Sequence, residues 1–388
     1  MPEDRNISKV VKGRICCGCG ACSVICPRGA ASMAEGRNYN YARIDKEKCI
    51  ACGRCLSVCP SEGLLVGAEP GGRERAEEEG HWLTHSTDEE TRRDGASGGF
   101  VTGLLGDLVE RRIIDGAILV RADKERPFHN VAVTARTKEG ILEARGSRYG
   151  PASACAAITE ALSTPGRYAF VGKGCEISAL RRLQRADRTL AERVVLAVGL
   201  FCARTPARTR ARRFVRTLGV EPADVRRIDF RGGGWPGTFK AIGVGGVLCQ
   251  TQYRTAWDYL AAALPALRCF LCADAAAEEA DISAGDPWGL DEGHAKGSGL
   301  SYVITRTRAG EEAVREGLER GAIGRDAAPA DFVRRRDEAF RARREAVHGR
   351  RATHEAIFGV TGRRRSISGG GLAGIRTVLS QKLRFNYY

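Results

Sequence analysis

Cys16, Cys19, Cys22 and Cys26-Pro27 follow one spacing, and Cys49, Cys52, Cys55 and Cys59-Pro60 repeat it. Each run reads C-x2-C-x2-C-x3-C-P, the bacterial pattern for a pair of 4Fe-4S clusters. Thiolates two residues apart wrap a tight loop around three irons of one cubane. The fourth cysteine is expected to open a helix pointing away and to ligate the other cluster. On that rule one cluster takes Cys16, Cys19, Cys22 and Cys59, and the second takes Cys49, Cys52, Cys55 and Cys26. Each proline ends its loop and fixes the backbone beyond the cysteine. Gly18, Gly20 and Gly53 leave room for backbone amides near the sulfurs. Zinc also uses paired C-x2-C units, but two full repeats, each ending in proline, favour iron and sulfur. Cys17 breaks the pattern. Only Cys16 keeps the two-residue spacing to Cys19, so Cys17 is expected to be a spectator.

A second group of cysteines is more widely spread. Cys269 and Cys272 form an isolated C-x2-C, Cys175 follows Gly172-Lys173-Gly174, and Cys202 ends Gly199-Leu200-Phe201. Strand ends of a parallel sheet converge on one edge, where α/β proteins place their sites. Four cysteines gathered there would build a third cluster. Buried cysteines acting as small hydrophobes fit the same spacing, and spacing alone does not choose between the two.

The elements that must position these cysteines alternate in type. Gly98–Arg112 repeats apolar residues with a helical period, at Phe100, Leu104, Leu105 and Leu108. Asp115–Arg121, Tyr168–Val171 and Val194–Phe201 are short apolar runs expected as buried strands, and Ala152–Leu162 and Ile177–Arg188 are expected as helices. Such alternation predicts an α/β sheet domain. The expected division is 1–66 for an α+β, ferredoxin-like two-cluster domain, 67–94 for a linker, 95–310 for an α/β domain with a mixed sheet, and 311–388 for an Arg-rich helical tail. The linker rests on the Gly- and Glu-rich composition of Gly67–Gly80. In the tail, Glu338, Glu345 and the arginines fall at helical spacings, which predicts a solvated helix with internal ion pairs. The triplet Arg363–Arg365 is flanked by Gly and Ser and is expected to be flexible.

Composition sets outer limits. The chain has 388 residues, 15 cysteines and a formal net charge of +15. Disulfide scaffolds with many cysteines are short secreted chains, and Met1–Arg14 is polar, unlike a signal segment. A reducing compartment and cytoplasmic localisation are therefore expected, with the cysteines as metal ligands. No apolar run reaches the roughly eighteen residues of a membrane span. The positive charge would suit nucleic acid, an acidic protein or an anionic small molecule. The tail has few aromatics to stack on bases and no nucleic-acid module, so nucleic acid is set aside.

Taken with the cysteines, several motifs resemble the beta-subunit family of coenzyme F-420 hydrogenases and dehydrogenases. They are Gly95-Ala96-Ser97-Gly98-Gly99, Arg148-Tyr149-Gly150-Pro151, Gly172–Arg181, Gly199–Cys202, Phe230-Arg231, Arg268-Cys269-Phe270-Leu271-Cys272 and Ala280–Gly289. The resemblance runs from Cys16 to about Arg308. It implies FAD and a 4Fe-4S cluster in the α/β domain, the cluster held by Cys175, Cys202, Cys269 and Cys272. Cys17, Cys155 and Cys249 then remain as ordinary thiols. One departure is Gly174, where the family usually has Pro before the cysteine.

No strand–GxGxxG–helix unit marks a dinucleotide fold; Gly232/Gly234/Gly237 and Gly369/Gly371/Gly374 are expected as loops. Ser97-Gly98-Gly99 opens a helix and would offer backbone N–H groups to a flavin pyrophosphate, though a plain helix cap fits equally. By the resemblance, Ser147, Arg148, Tyr149 and Gly150 line the same pocket. Lys173 and Arg181, on either side of Cys175, would place positive charge near it or serve as solvated surface charge. The function so implied is an iron–sulfur flavoprotein oxidoreductase. It would take hydride from reduced F-420 onto FAD and pass electrons through clusters to a ferredoxin-like acceptor or partner subunit. Two alternatives stay open: a ferredoxin-dependent FAD reductase of an organic substrate, as in chlorophyll-derivative reductases, and a non-catalytic electron-transfer subunit. No side chain is required as acid or base.

Overall fold

The structure, a computed structural model, describes residues 5–62, 75–263, 265–290, 297 and 299–358. Arg363–Arg365, the Gly369/Gly371/Gly374 match and the start of the expected linker lie outside the described residues.

The N-terminal module threads its two cysteine loops around a hairpin. Strands β1 (Ala31–Glu35) and β2 (Asn40–Ile44) pair antiparallel, Ala31 opposite Ile44. Short helices, Ala21–Ile25 and Arg54–Ser57, begin inside the cysteine motifs. Each starts at a glycine in the left-handed region, Gly20 (φ 93°) and Gly53 (φ 79°). Cys26 does not open a helix as expected: it is the extended C-cap of the first helix, whereas Cys59 follows the second and its carbonyl accepts from the amide of Glu62, which is helical. The prolines explain this. Pro27 and Pro60 cannot donate to a continuing ladder and push the preceding residue out of the helical region.

The rest of the chain is built on one eight-stranded mixed sheet. Its strands are β3 (Arg75–Ser86), β4 (Gly116–Ala122), β5 (Asn130–Ala135), β6 (Tyr168–Lys173), β7 (Val194–Leu200), β11 (Ile282–Gly285), β12 (Ser301–Thr307) and β13 (Ile323–Asp326). The order is β13-β3-β12-β11-β7-β6-β4-β5. Strands β4, β6, β7 and β11 run parallel to their neighbours, and β5, β12, β3 and β13 pair antiparallel at the two sides. The expected strands at 115–121, 168–171 and 194–201 are thus found within a residue or two. Their continuous apolar character follows from cover on both faces. One face packs on Ile158, Ile177, Leu180 and Leu183, joined by Ala21, Ile25 and Val58 of the N-terminal module. The other packs on Phe100, Leu104, Leu105 and Val314.

Two expected boundaries move. Residues 67–94 are not all linker: β3 lies inside the sheet, and a helix Glu89–Asp94 follows, capped by the Asp88 carboxylate, which accepts from the Thr91 amide. The charged sequence of β3 hid a strand whose Leu83 is fully buried between antiparallel partners. The sheet also extends past 310, because β13 pairs with β3. A second, three-stranded sheet was not foreseen. It comprises β8 (Arg227–Asp229), β9 (Thr238–Gly243) and β10 (Gly246–Gln252), with helices Arg208–Thr217 and Tyr253–Ala261 packed around Phe214, Phe230 and Phe239. A helix Ala330–Phe358 then returns along the C-terminal edge of the parallel strands, its Phe332 ring against Tyr302 and its Phe340 ring against Phe201. No described helix is long and apolar enough to cross a membrane.

Candidate functional site

The parallel strands deliver two of the three separate cysteine segments to one edge, where the third meets them. Cys175 lies in the first turn of the helix Gly174–Ala186, directly after β6. Cys202 follows β7 across Phe201. Cys269 is on the short helix Leu267–Phe270, and Cys272 lies just beyond it. All four line one cleft enclosing about 630 Å³ of space. Cys16 and Cys17 of the N-terminal module line the same cleft. Cys17 is partly buried there and packs against the core around Cys19 and Cys155. Cys155, expected as an ordinary thiol, is fully buried at the same junction. Its amide donates to the Cys19 carbonyl at 2.9 Å. The modules approach so closely there that a Cβ on Gly20 would lie 2.8 Å from the Ala156 nitrogen.

Cys26, from the first motif, lines a separate pocket with Cys49, Cys52 and Cys55 of the second. Burial, followed by the neighbouring Cys16 and Cys59, pushes the Cys22 thiol well above its ordinary range. Cys52 is exposed, and Ile50 beside it is 60% exposed. Among the described residues no three His, Cys, Asp or Glu side chains converge on a point where one metal ion would sit.

Charge around the cleft is cationic and fixed. Lys173 forms an ion pair with Glu176 at 2.8 Å, and Glu176 also accepts from the Lys173 amide. Arg181 is buried and pairs with the fully buried Asp281 at 2.9 Å, so it is neither near the cleft thiols nor solvated. Burial pushes the Asp274 carboxyl up to about 6. Arg268 is 6% exposed, and its Nε and Nη1 have no hydrogen-bond partner. Burial opposes its charge, but the surrounding Cys272, Cys17, Cys175 and Cys269 more than offset this and hold the guanidinium protonated.

The C-terminal arginines differ most from expectation. Arg343 donates to the carbonyls of Ala203 and Cys272, Arg350 to that of Phe270, and Arg351 to that of Leu271. One side of the helix thus clamps the loops bearing Cys202, Cys269 and Cys272. The expected intrahelical pairs also exist, such as Arg334–Glu338 and Arg335–Asp331.

The segments expected to hold a flavin are engaged with other parts of the chain. Ser97 donates to the Leu300 carbonyl at 2.6 Å, and the Gly98 amide donates to Ser301 Oγ at 3.0 Å. Both groups are thus engaged in stitching the helix Phe100–Glu110 to β12. A Cβ on Gly98 would lie 2.8 Å from the Thr84 oxygen and the Ser301 nitrogen, so this glycine is required by close packing. Gly99 is the helix N-cap, with φ 69°. Arg148 donates to the carbonyls of Ser147 and Arg145, and its buried Nε is without a partner. Tyr149 donates to the Tyr253 hydroxyl at 3.1 Å and lies 4.9 Å from the Trp257 ring. Gly150 abuts the Asn130 amide. Lys173 belongs to the cysteine cleft and not to this cluster.

Family comparison follows the same division. The family model for coenzyme F-420 hydrogenase/dehydrogenase beta subunits matches residues 82–159 with its N-terminal part and 166–330 with its C-terminal part. The chain belongs to this family. A 4Fe-4S dicluster domain matches residues 15–62 in addition. The chain is 28% identical over 251 residues to the coenzyme F-420 hydrogenase subunit beta of Methanothermobacter thermautotrophicus, covering 61% of this chain and 80% of that one. It is 25% identical over 323 residues to the coenzyme F-420-dependent sulfite reductase of Methanocaldococcus jannaschii, covering 79% of this chain but 46% of the reductase. Its fold is similar to a chain of the F-420-reducing NiFe hydrogenase complex from Methanosarcina barkeri, with a TM-score of 0.56 and 22% identity, over 74% of this chain and 94% of that one. As a beta-subunit relative with a dicluster domain, the protein is an oxidoreductase.

Two conspicuous features of this family member escaped a role in the sequence. Arg231 and Asp286 form a bidentate pair at 2.7 and 2.8 Å. The Trp235 indole donates to the same carboxylate at 2.8 Å, and the Arg231 guanidinium lies 4.3 Å from the Tyr253 ring centre. Phe230-Arg231 and the Asp286-Pro287-Trp288 end of the last motif were the only signal. Arg268 is the second, marked only by its place before Cys269.

Proposed function

We propose that the chain passes electrons between reduced coenzyme F-420 and its 4Fe-4S clusters through a bound FAD, and onward to a ferredoxin-like acceptor or partner subunit. One observation carries the proposal: cysteines from the α/β sheet and from the dicluster module line a single cleft. In this reading Cys16, Cys19, Cys22 and Cys59 hold one cluster, Cys49, Cys52, Cys55 and Cys26 a second, and Cys175, Cys202, Cys269 and Cys272 a third. The donor set fits. Each site offers four thiols, and the cleft adds a buried guanidinium with unpartnered N–H groups, which suits an anionic occupant. When bound, FAD supplies a two-electron acceptor for hydride and the clusters supply one-electron carriers.

The protein's part is holding, orienting and excluding water. The clamp of Arg343, Arg350 and Arg351 fixes the loop carbonyls between Cys269 and Cys272. Cys16 and Cys17, adjacent in the chain, bring the dicluster module into the cleft, and Cys52 takes the series of thiols to the surface. For FAD, the free donors are the amides that follow Gly99 and the buried Arg148, since Ser97 and the Gly98 amide are engaged. The F-420 assignment draws on family membership and on what the named relatives act upon.

Two measurements test this. Anaerobically prepared protein should contain about twelve irons, four per cluster, and zinc in their place would refute the assignment at its root. Mixing with reduced F-420 should bleach bound flavin within a turnover, more slowly at high salt, because the anionic tail of F-420 meets a basic protein. Bleaching by reduced ferredoxin alone would move the protein to the reductase alternative. Failure of both donors would leave the electron-transfer subunit.

A further inference from the structure

The turn Leu267–Phe270 lies at the seam between the two cysteine-bearing modules. Leu267, Phe270 and Leu271 pack into the N-terminal core beside Cys16, Cys22 and Cys59. Cys269 and Cys272 line the cleft. Arg268 stands between these two sets, buried, with Nε and Nη1 unpartnered. A guanidinium carries no acceptor and cannot discharge, so leaving its donors dry is costly unless anions face it. The other cations of the cleft each have a partner: Lys173 pairs with Glu176, Arg204 donates to the Ala261 carbonyl, and Arg343 to the Ala203 and Cys272 carbonyls. No carboxylate pairs with Arg268 among the described residues. Arg268 lines the cleft together with Cys16, Cys17, Cys175, Cys202, Cys269 and Cys272, and its neighbour Leu267 packs with Cys59 on the module side.

We propose that Arg268 is a counter-charge shared by two iron–sulfur clusters, the one held by Cys175, Cys202, Cys269 and Cys272 and the one held by Cys16, Cys19, Cys22 and Cys59. Cluster potentials follow net charge and hydrogen bonds to the sulfurs, so one fixed positive charge at the seam favours the added electron on either side. An electron leaving one cluster arrives at the other, and no proton accompanies it, because the guanidinium keeps its charge throughout. Arg268 acts through the ligands and is a positioning residue. The cluster of Cys26, Cys49, Cys52 and Cys55 lies beyond its reach and keeps its own potential.

This inference rests on the three-cluster proposal, and the experiment separates their failures. Full-length protein, prepared anaerobically, is first assayed for iron and titrated potentiometrically with electron paramagnetic resonance. About eight irons instead of twelve would remove the third cluster and the inference with it. With three clusters present, Arg268→Gln should retain iron and lower two midpoints, leaving the third in place. A fall in only one midpoint, an equal fall in all three, or no fall would overturn the shared role. If Arg268→Gln loses iron, Arg268→Lys decides. Lysine keeps the charge as a single point without the planar fork, so it should restore the iron and hold the two midpoints close to wild type. Iron still missing from the lysine variant, or restored iron with either of the two midpoints well below wild type, would overturn the proposal.

Discussion

The dicluster module and the cleft of the α/β sheet use the same side chain in opposite ways. In the module, two loops of a dozen residues carry every cysteine of both sets, and the crossing of Cys26 to the second set needs only the hairpin between them. In the cleft, Cys175, Cys202 and the Cys269–Cys272 pair come from three separate segments. They meet only because β6 and β7 run parallel and the loop before β11 folds back over their ends. The first arrangement is encoded by spacing, the second by topology. Their exposure differs too. Cys52 and Ile50 reach solvent at the outer end, whereas the cleft is roofed by arginines from a distant helix. An electron-transfer protein needs both conditions: an insulated interior and one accessible end.

The sharpest way to break this contrast is to delete one ligand from each region. Cys272→Ala should cost about four irons and leave the N-terminal pair intact, whereas Cys52→Ala should do the reverse. Iron analysis and paramagnetic resonance distinguish them, and an unchanged iron content in Cys272→Ala would disprove the third site.

Next in size is the buried pair near the expected flavin segments. The Arg231 side chain is 1% exposed, and Asp286→Ala would leave its charge uncompensated. A loss of about 3–5 kcal/mol is expected, read as a drop in denaturation midpoint. A loss below 1 kcal/mol would mean that water or neighbouring groups reach the guanidinium.

Gly98→Ala should cost about 1–3 kcal/mol through collision with the Thr84 and Ser301 backbone. Since the Gly98 amide is already spent on Ser301, flavin content per folded molecule should stay unchanged. Flavin-free but fully stable protein would show that Gly98 serves the cofactor and not the packing. Smallest of all, Lys9→Ala removes the partly exposed pair with Glu62 in the module and should change stability by less than about 1 kcal/mol. A larger effect would make the module more dependent on surface charge than its buried cysteine core implies.

How much was legible depended on whether the chemistry was local. The eight N-terminal cysteines announced a dicluster module because cluster ligation fixes their spacing, and the central parallel strands announced themselves because burial on both faces demands apolar runs. β3 was hidden by its charges, although Leu83 is buried and the strand lies inside the sheet. The arginines of the last helix read as surface charge because their partners are backbone carbonyls, which leave no mark in a sequence. Ser97 and Gly98 had the look of an anion cradle, yet packing against β12 explains both residues. That Cys17 lines the cleft beside Cys175 follows from the meeting of the two modules, which spacing within one motif does not encode.

The clamp on the cysteine loops also orders events in time. Arg350 and Arg351 reach carbonyls 80 positions earlier, and Arg343 one 140 positions earlier. On a ribosome the N-terminal module is complete long before the last helix emerges. Its eight thiols are available to iron–sulfur delivery while the rest of the chain is still being made. The third set waits for nearly the whole polypeptide, and translation halted before Ala330 would release a chain with every ligand present and its roof missing. Such a fragment should acquire iron at the first two sites and shed it from the third, making the final helix the step that commits the molecule to its mature form.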